Sequence, residues 1–447
     1  MFKEAKNNLN CNILGLTSSK RYIFPFLKIK TKGNKQGVYL FGFIPLLKIN
    51  YKDNEKRIGL FGFIPLLKIR YSNNKKEVYL FGFIKIWKRI LENNKTKILF
   101  YCSGGYGDIL IEFNFLLNLK EKFKDLIDID IYINKDHINV KSFLYQQNFY
   151  NRLFIAKENI IDNPIVISNY AFICCFCRYL DFKKINLSKI FALSNNNIFY
   201  EYVYKYTETL KNICLDSQDY YCGHYERVLE QYSLLSGRDR MQQADLGNFL
   251  NVESKLKIQL KNEDEVLEKF NLKNVKYITV QNGCGTGLKS TNYTRLYTTE
   301  KYSKLVSLIK LKYKNYKIIQ FGYENNIAIN GVNVNLCGKT SFDEMLVILK
   351  NSALHIDTEC GSVHFRHFLC AKPSLVIFGT TNKDFYGYKE NINVSSNKCS
   401  CNGCDWITKD WYNKCIRTNS SINIPCMDIA PEYIFNELVK SGVLESE

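Results

Sequence analysis

Carboxylates, an imidazole and thiols gather at three places along this chain, each beside a glycine. The first is Leu354–Thr381, which reads LHIDTECGSVHFRHFLCAKPSLVIFGTT. An apolar run, a small-residue turn, a short amphipathic segment, a proline and a second apolar run ending at Gly379 predict strand, loop, helix, strand. The turn ECGS opens the helix, so backbone N–H groups and the positive helix end face whatever sits beside it, and a phosphate or diphosphate suits that place. Two carboxylates, Asp357 and Glu359, and the imidazole of His364 stand next to it. The second place is Ser103-Gly104-Gly105-Tyr106-Gly107-Asp108, a glycine turn that lets backbone approach a ligand. Taken alone, Asp108 reads as a helix N-cap. The third is Cys401-x2-Cys404 with Cys415 and Cys426, interleaved with Trp406 and Trp411. Four thiolates in a reducing compartment suit a tetrahedral structural metal, zinc or iron, with every position filled by protein.

The segments that carry these residues alternate between strand and helix patterns. From Lys97, KILFYC is a strand, and the helix after the glycine turn has apolar residues at Ile111, Phe115 and Leu119 and ends near Lys122. IDIDIYI and PIVISNYAFICCF read as strands, followed by helical stretches through Leu250. A Lys/Asn/Glu-rich linker over about 251–273 leads to a second unit. There KYITVQNGCGTGLKS is a strand with a glycine loop, YSKLVSLIKLKY a helix, KIIQFGY a strand and SFDEMLVILKNS a helix. APEYIFNELVKSG closes the chain as a helix starting after Pro431 and ending at Gly442. The alternation predicts an α/β protein with parallel sheets and a ligand cleft between two halves, at the carboxyl ends of the strands. Three domains are expected: 1–96, 97–262 and 263–447, the last containing the cysteine cluster 399–426.

At 447 residues the chain exceeds one ordinary domain, and 46% hydrophobic with 14% aromatic residues supports packed cores rather than bulk disorder. The net charge of +19 is uneven: residues 1–97 hold 21 Lys/Arg against 5 Asp/Glu, +16 of the total. That region repeats with a period of 20: VYLFGFIPLLKINYKDNEKR, IGLFGFIPLLKIRYSNNKKE and VYLFGFIKIWKRILENNKTK, with a degenerate copy from Tyr22. Gly42 with Pro45, and Gly62 with Pro65 in the next copy, oppose a long helix and predict short strands paired across KDNEK and SNNKK turns. Such a module either packs on the body or drives homo-oligomer formation, or it meets an anionic membrane surface with its lysines. No nucleic-acid motif accompanies the charge, so a nucleic-acid partner is not expected. The start lacks a signal-peptide pattern and no run of about 18 apolar residues occurs, so a cytoplasmic location is expected, with peripheral contact at the inner face of the cytoplasmic membrane as the variant. Most of the 16 cysteines, such as Cys174, Cys175 and Cys177, are then small apolar packing residues.

Residues 97–440 resemble glycosyltransferase family 9, the heptosyltransferases. ILFYCSGGYGDIL matches the family's strand and Gly-x-x-Gly-Asp turn, GLKSTNY occupies its lysine-containing donor loop, and NLCGKTSFDEMLVILKNSALHI with ECGSVHFRHFLCAKPSLVIFGTT matches its C-terminal donor motif. The resemblance implies the GT-B architecture: two Rossmann-like domains facing a cleft, here preceded by the β-rich repeat module. It also implies an inverting transfer without a catalytic metal, from a nucleotide diphosphate sugar, ADP-heptose, to an acceptor hydroxyl. Asp108 would be the base, and Gly104, Gly105 and Gly107 the acceptor-side turn. Lys289 would neutralise the leaving diphosphate, with Thr286 and Gly287 lining the same loop. The family pattern is Asp-x-Gly-x-x-His, and counting back from His364 puts Glu359 at the acidic position, where it would bind donor-sugar hydroxyls. Gly361, Ser362 and His364 would hold the diphosphate. Asp357, two residues off, would end the strand. His364 and His367 lack a nearby third ligand, so a metal pair is not expected there.

The four cysteines are similar to the insert of protein-modifying autotransporter heptosyltransferases, where it holds iron. GRDRMQQADLGNFL at 237–250, another feature of that subgroup, reads as packing and hinge with Arg238 or Arg240 near the acceptor. The acceptor would be a lipopolysaccharide core sugar, another surface glycolipid or glycan, or a protein hydroxyl. The basic repeat favours the membrane-linked acceptors and the cysteine cluster the protein. The alternative is a non-catalytic glycan- or nucleotide-binding protein with a degenerate transferase fold. Glu359 and the GCGTGLKS loop permit it, while Asp108, Lys289 and His364 together argue against it.

Overall fold

The computed structural model describes residues 20–24, 27–32, 35–40, 44–52, 55–60, 64–72, 75–80, 84–90, 95–144, 147–156, 168–185, 197–213, 222–282 and 293–445. The chain forms two compact units, residues 1–96 with 187–198, and residues 97–186 with 199–447.

The first unit carries one antiparallel sheet of eight strands in chain order: β1 Lys20–Phe24, β2 Leu27–Lys32, β3 Lys35–Leu40, β4 Ile44–Lys52, β5 Glu55–Leu60, β6 Ile64–Ser72, β7 Lys75–Leu80 and β8 Ile84–Ile90. Each 20-residue repeat supplies two strands, as its turn residues predict. The register sorts the side chains by face, because strand neighbours alternate sides. Lys35 lies opposite Asn50, Asn50 opposite Arg57, and Arg57 opposite Lys68. One position along, Val38 lies opposite Leu47, Leu47 opposite Leu60, and Ile49 opposite Ile58. One face is therefore basic and the other aliphatic. Glu55 sits among the cations, bonded to Arg57 at 2.8 Å, Lys68 at 3.0 Å and Arg70 at 3.0 Å. Arg57 first, then Lys68 and Arg70, outweigh burial and hold its pKa at about 2.

The second unit holds two Rossmann-like halves, the GT-B arrangement. The first half is a sheet in the order β11–β10–β9–β12–β13, made of β9 Thr96–Cys102, β10 Ile127–Asn134, β11 Arg152–Ala156, β12 Phe172–Phe176 and β13 Leu180–Ile185. β9 and β12 are parallel and β13 is antiparallel at the edge. The predicted long strand through residues 164–176 is shorter here. Residues 168–171 turn first, and 164–167 lie outside the described residues. The second half is fully parallel in the order β16–β15–β14–β17–β18–β19: β14 Tyr277–Val280, β15 Lys317–Gln320, β16 Val334–Asn335, β17 Leu354–Thr358, β18 Ser374–Phe378 and β19 Ile392–Ser395. Counted along the chain this is 3-2-1-4-5-6, with a topological switch between β14 and β17, and the first half has the matching switch between β9 and β12. Ligands of such sheets bind outside the strand ends at the switch.

Among the described residues, eight helices of seven or more residues accompany the sheets. α1 Tyr106–Phe123, α2 Asn197–Ile213 and α3 Cys222–Leu235 belong to the first half. α4 Glu263–Lys269, α5 Thr299–Lys312, α6 Phe342–Asn351, α7 Gly361–Phe368 and α8 Pro431–Ser441 belong to the second. Local sequence accounts for their ends. Ser341 and Glu344 form a reciprocal capping box at α6, and α8 starts on Pro431 and stops at Gly442 with φ +64°. The two halves interlock through aromatic rings: Tyr106 packs on Phe342 at 5.2 Å, and Phe143 packs edge-on to Phe365 at 5.5 Å.

Two segments differ from the sequence-based expectation. Helix does not run through Leu250. α3 ends at Leu235, and residues 236–250 form successive turns with Gly237 and Gly247 at positive φ. Asp245 accepts the N–H groups of Leu250 and Asn251, and Arg238 donates to the Asp245 carbonyl, so tertiary bonds hold a non-helical path. The linker expected over 251–273 contains α4, Glu263–Lys269, and the stretch before that helix is bonded to the body. Asn114 and Asn118, one turn apart on α1, bond the backbone of Glu253, and Asn114 also accepts the N–H of Lys255 at 2.8 Å. Ile258 then donates to the Phe368 carbonyl at the end of α7. The segment is thus tied to both halves, with Val252, Leu256 and Ile258 buried.

Arg366 is the largest fully buried side chain, and its guanidinium serves carbonyls rather than a carboxylate. It donates to Leu349, Ser352, Lys372 and Pro373, capping the C-terminal end of α6 and the loop before β18. Arg366→Met should destabilise the second unit by about 3 kcal/mol or more in urea denaturation, because several buried acceptors lose their donor. Arg366→Lys should recover less than half of that, since an ammonium cannot fork between the same carbonyls.

Candidate active site

β9 ends at Cys102 and the chain turns on Gly104, whose φ of +115° is disfavoured for residues with a Cβ. Gly105 precedes α1 and its N–H donates to Asp108 Oδ2 at 3.2 Å, so the N-cap expected at Asp108 is instead a contact from the third helical position back to the turn. Arg240 Nη2 donates to Asp108 Oδ1 at 2.7 Å, and Arg178 Nη2 lies 3.8 Å from the same oxygen. The Asp108 side chain is 25% exposed. Burial would raise its pKa, but Arg178 and Arg240, with a smaller contribution from His364, outweigh it and hold the value at about 2. One turn further along α1, Glu112 is fully buried, and burial together with the charge of Asp108 pushes its pKa well above the ordinary range. The pKa values of two carboxyls one turn apart on α1 are thus pushed in opposite directions.

Arg178 follows β12, at the switch point of the first sheet, and the sequence reading missed it. The available signal was a cation directly after an apolar run that had to be a central strand. Besides Asp108 it pairs with Glu226 at 3.3 Å, donates to the Tyr386 hydroxyl at 2.8 Å and lies over the Trp406 ring at 4.8 Å. Tyr386 in turn donates to Asp405 at 2.9 Å. Asp405 and Glu230 are both fully buried beside Arg227, and burial raises the pKa of each. A charged network therefore crosses from the first half into the cysteine segment.

In the second half, β17 ends at Thr358 and α7 begins at Gly361. Asp357 is fully buried and accepts from Ser362 Oγ at 2.7 Å and from the Thr358 N–H at 2.7 Å. His355 Nε2 stands 3.1 Å from Ser362 Oγ. The Ser362 hydroxyl is thus bonded into this scaffold, which leaves its backbone N–H at the helix start. Glu359 receives Arg295 Nη1 at 2.7 Å and stands 3.7 Å from His364 Nε2. Burial opposes its ionisation, and Arg295 followed by His364 overcomes it, holding the pKa at about 2. His364 Nδ1 lies 2.7 Å from the Tyr388 hydroxyl. The two helix starts approach closely: a Cβ on Gly107 would stand 2.3 Å from His364 Cδ2, so that position needs glycine. A Cβ on Gly361 would be 3.8 Å from the Gly107 nitrogen. Between the halves a recess is lined by Ile111, Arg240, Met241, His364, Phe385, Tyr386 and Tyr388.

Thr286, Gly287 and Lys289 lie outside the described residues. Of the residues flanking them, Asn282 follows β14 and donates to Thr299 Oγ1 at 3.1 Å, and Arg295 reaches Glu359. His367 is not paired with His364. It bonds Glu390 at 2.5 Å and Ser254 at 2.7 Å.

Cys404, Cys415 and Cys426 are buried, Cys401 is partly buried, and Cys399 Sγ lies 3.1 Å from Cys401 Sγ. Burial first, then Cys404, Cys399, Cys401 and Cys415, push the Cys426 thiol up, so the five sulfurs share one region of the core. By residue type they fit a thiophilic ion. Among the described residues no three His, Cys, Asp or Glu side chains are arranged as a metal-holding group.

Gly107→Ala should cost about 1–3 kcal/mol in stability by forcing the new methyl into the His364 ring, read by urea denaturation. The Glu112 carboxyl is protonated more strongly in the folded chain than in the unfolded one, so its ionisation costs stability as pH rises above the ordinary glutamate range. The urea midpoint of Glu112→Gln relative to wild type should therefore improve between pH 5 and pH 8.

No protein-family model matches the chain, and no curated relative does. Among solved structures it is similar to the E. coli ADP-heptose lps heptosyltransferase II, at 13% identity and TM-score 0.45, over 77% of this chain and 98% of that one. It is similar to a glycosyl transferase family 9 protein from Veillonella parvula at 14% identity and TM-score 0.49, over 79% of this chain and 99% of that one. It is also similar to the dodecameric iron-containing heptosyltransferase TibC in complex with ADP-D-beta-D-heptose, at 13% identity and TM-score 0.48, over 89% of this chain and 96% of that one.

Proposed function

We propose that this chain is an inverting glycosyltransferase that moves heptose from ADP-heptose to a hydroxyl acceptor. One observation carries the reading. Across the crevice at the two sheet switch points, the ionised carboxylate of Asp108 stands on one side, and the helix start at Gly361 with His364 stands on the other. The donor diphosphate sits at the N-terminal end of α7, held by backbone N–H groups and His364. Glu359 accepts hydroxyls of the donor sugar. Lys289, with Thr286 and Gly287, neutralises the leaving diphosphate. The acceptor hydroxyl attacks the anomeric carbon from the Asp108 side. The new C–O bond forms as the bond to the diphosphate breaks, and the proton passes to the Asp108 carboxylate. Arg178 and Arg240 keep that carboxylate ionised, and they make it a weak base suited to late proton transfer.

The reaction uses no catalytic metal in this scheme. Cys401, Cys404, Cys415 and Cys426 would hold a structural zinc or iron ion, which would order the segment carrying Asp405 and Trp406. The basic repeat meets an anionic surface, such as the inner face of the cytoplasmic membrane, and brings the enzyme to a glycolipid acceptor. A protein hydroxyl is the other acceptor of the same chemistry.

ADP-heptose should raise the thermal midpoint of the full chain, and Asp108→Asn should lower kcat about 10²–10⁴-fold while leaving that shift in place. Stabilisation by no nucleotide sugar would refute the transferase, and full activity in Asp108→Asn would refute Asp108 as its base. Elemental analysis should find one equivalent of zinc or iron, and Cys404→Ser should lose it with a drop in thermal midpoint. The full chain should sediment with phosphatidylserine vesicles and deletion of residues 1–95 should abolish this; equal sedimentation would reject the membrane role.

A further inference from the structure

We propose that Tyr388 is a positioning residue that fixes the protonation geometry of His364, aiming its Nε2–H at the donor side of the crevice. The inference rests on the transferase reading above. The two nitrogens of His364 have different neighbours. Nε2 stands 3.7 Å from Glu359 Oε1, outside hydrogen-bond range, and the negative charge of a carboxylate that only accepts favours hydrogen on Nε2. At that distance the hydrogen is directed toward Glu359 without being fully engaged by it, which leaves it available to a bound oxyanion. Nδ1 lies 2.7 Å from the Tyr388 hydroxyl. With hydrogen on Nε2, Nδ1 of the neutral ring is an acceptor, and the phenol O–H donates to it. Burial pushes the Tyr388 phenol well above its ordinary range, which keeps it able to donate.

The ring is held rigidly enough for this work. Its face stacks on His367, with centroids 3.9 Å apart and planes 6° from parallel. His367 is itself fixed by Glu390 on one nitrogen and by Ser254 of the interdomain segment on the other. On its far side the His364 ring abuts Gly107. The donor imidazole is therefore set by Tyr388, and Tyr388 by a histidine tied to the segment that joins the halves.

The test uses the full chain labelled with ¹⁵N-histidine. The chain has five histidines, and His364→Gln assigns the relevant signal. Wild type should show His364 with hydrogen on Nε2 and a hydrogen-bonded Nδ1. Tyr388→Phe keeps the stacked ring but should move the Nδ1 resonance and admit the other tautomer. It should also weaken ADP binding about tenfold, the loss of one oriented hydrogen bond. An unchanged His364 signal in Tyr388→Phe overturns the proposal, and so does a changed signal with undiminished ADP affinity. If ADP binds neither wild type nor variant, it is the transferase reading that fails, and the nitrogen signals still decide whether Tyr388 sets the imidazole.

Discussion

A carboxylate has to stay ionised where burial would protonate it, and much of the second unit is arranged around that requirement. Asp108 meets it through two guanidinium groups that arrive from distant parts of the chain. Arg178 is within reach because β12 lies directly beside β9, so the residue after one strand faces the turn after the other. Arg240 is within reach because residues 236–250 leave the helical path and fold into turns fixed by Asp245 and Arg238. Arg178 does more than hold Asp108. Arg178 also joins Glu226, Tyr386 and Trp406, so the interaction that sets the charge of the candidate base also links the two halves.

The second half handles its own pair of acids by separating them. Asp357 is withdrawn completely and bonds the loop that leads into α7, with Ser362 and His355 around it. Glu359, two residues on, remains at the helix start with Arg295 and His364. Strand alternation alone would leave two residues of equal parity on one side. The end of β17 breaks that parity, and the two carboxylates then differ in role. The close meeting of α1 and α7 adds a second constraint, since the His364 ring occupies the space a side chain at residue 107 would need.

Much of the fold was legible because its signals are local. The capping box at Ser341 and Glu344, the proline start and glycine stop of α8, and the apolar runs of β9, β14, β17 and β18 each depend on residues within one or two turns of each other. The turns after α3 and the path of residues 252–258 were not legible in this way. Their backbone groups are satisfied by Asp245, Asn114 and Asn118, whose side chains read as ordinary surface polarity in sequence. Arg366 escaped notice for the same reason: an arginine on a short amphipathic helix gives no sign that it will be buried among carbonyls.

Residue order therefore settled where the elements lie, that two glycine turns precede two helices, that the basic charge belongs to a 20-residue repeat, and which short stretches contain the acids, the imidazole and the thiols. Those properties follow from periodicity and backbone preference, which act over a few residues. Tertiary structure decided which groups face one another: Asp108 with Arg178 and Arg240, Glu359 with Arg295, His364 with Tyr388, and Asp357 with its own scaffold. Charge state is set by burial and by neighbours within a few ångströms, and those neighbours come from residues separated by up to 208 positions in the chain.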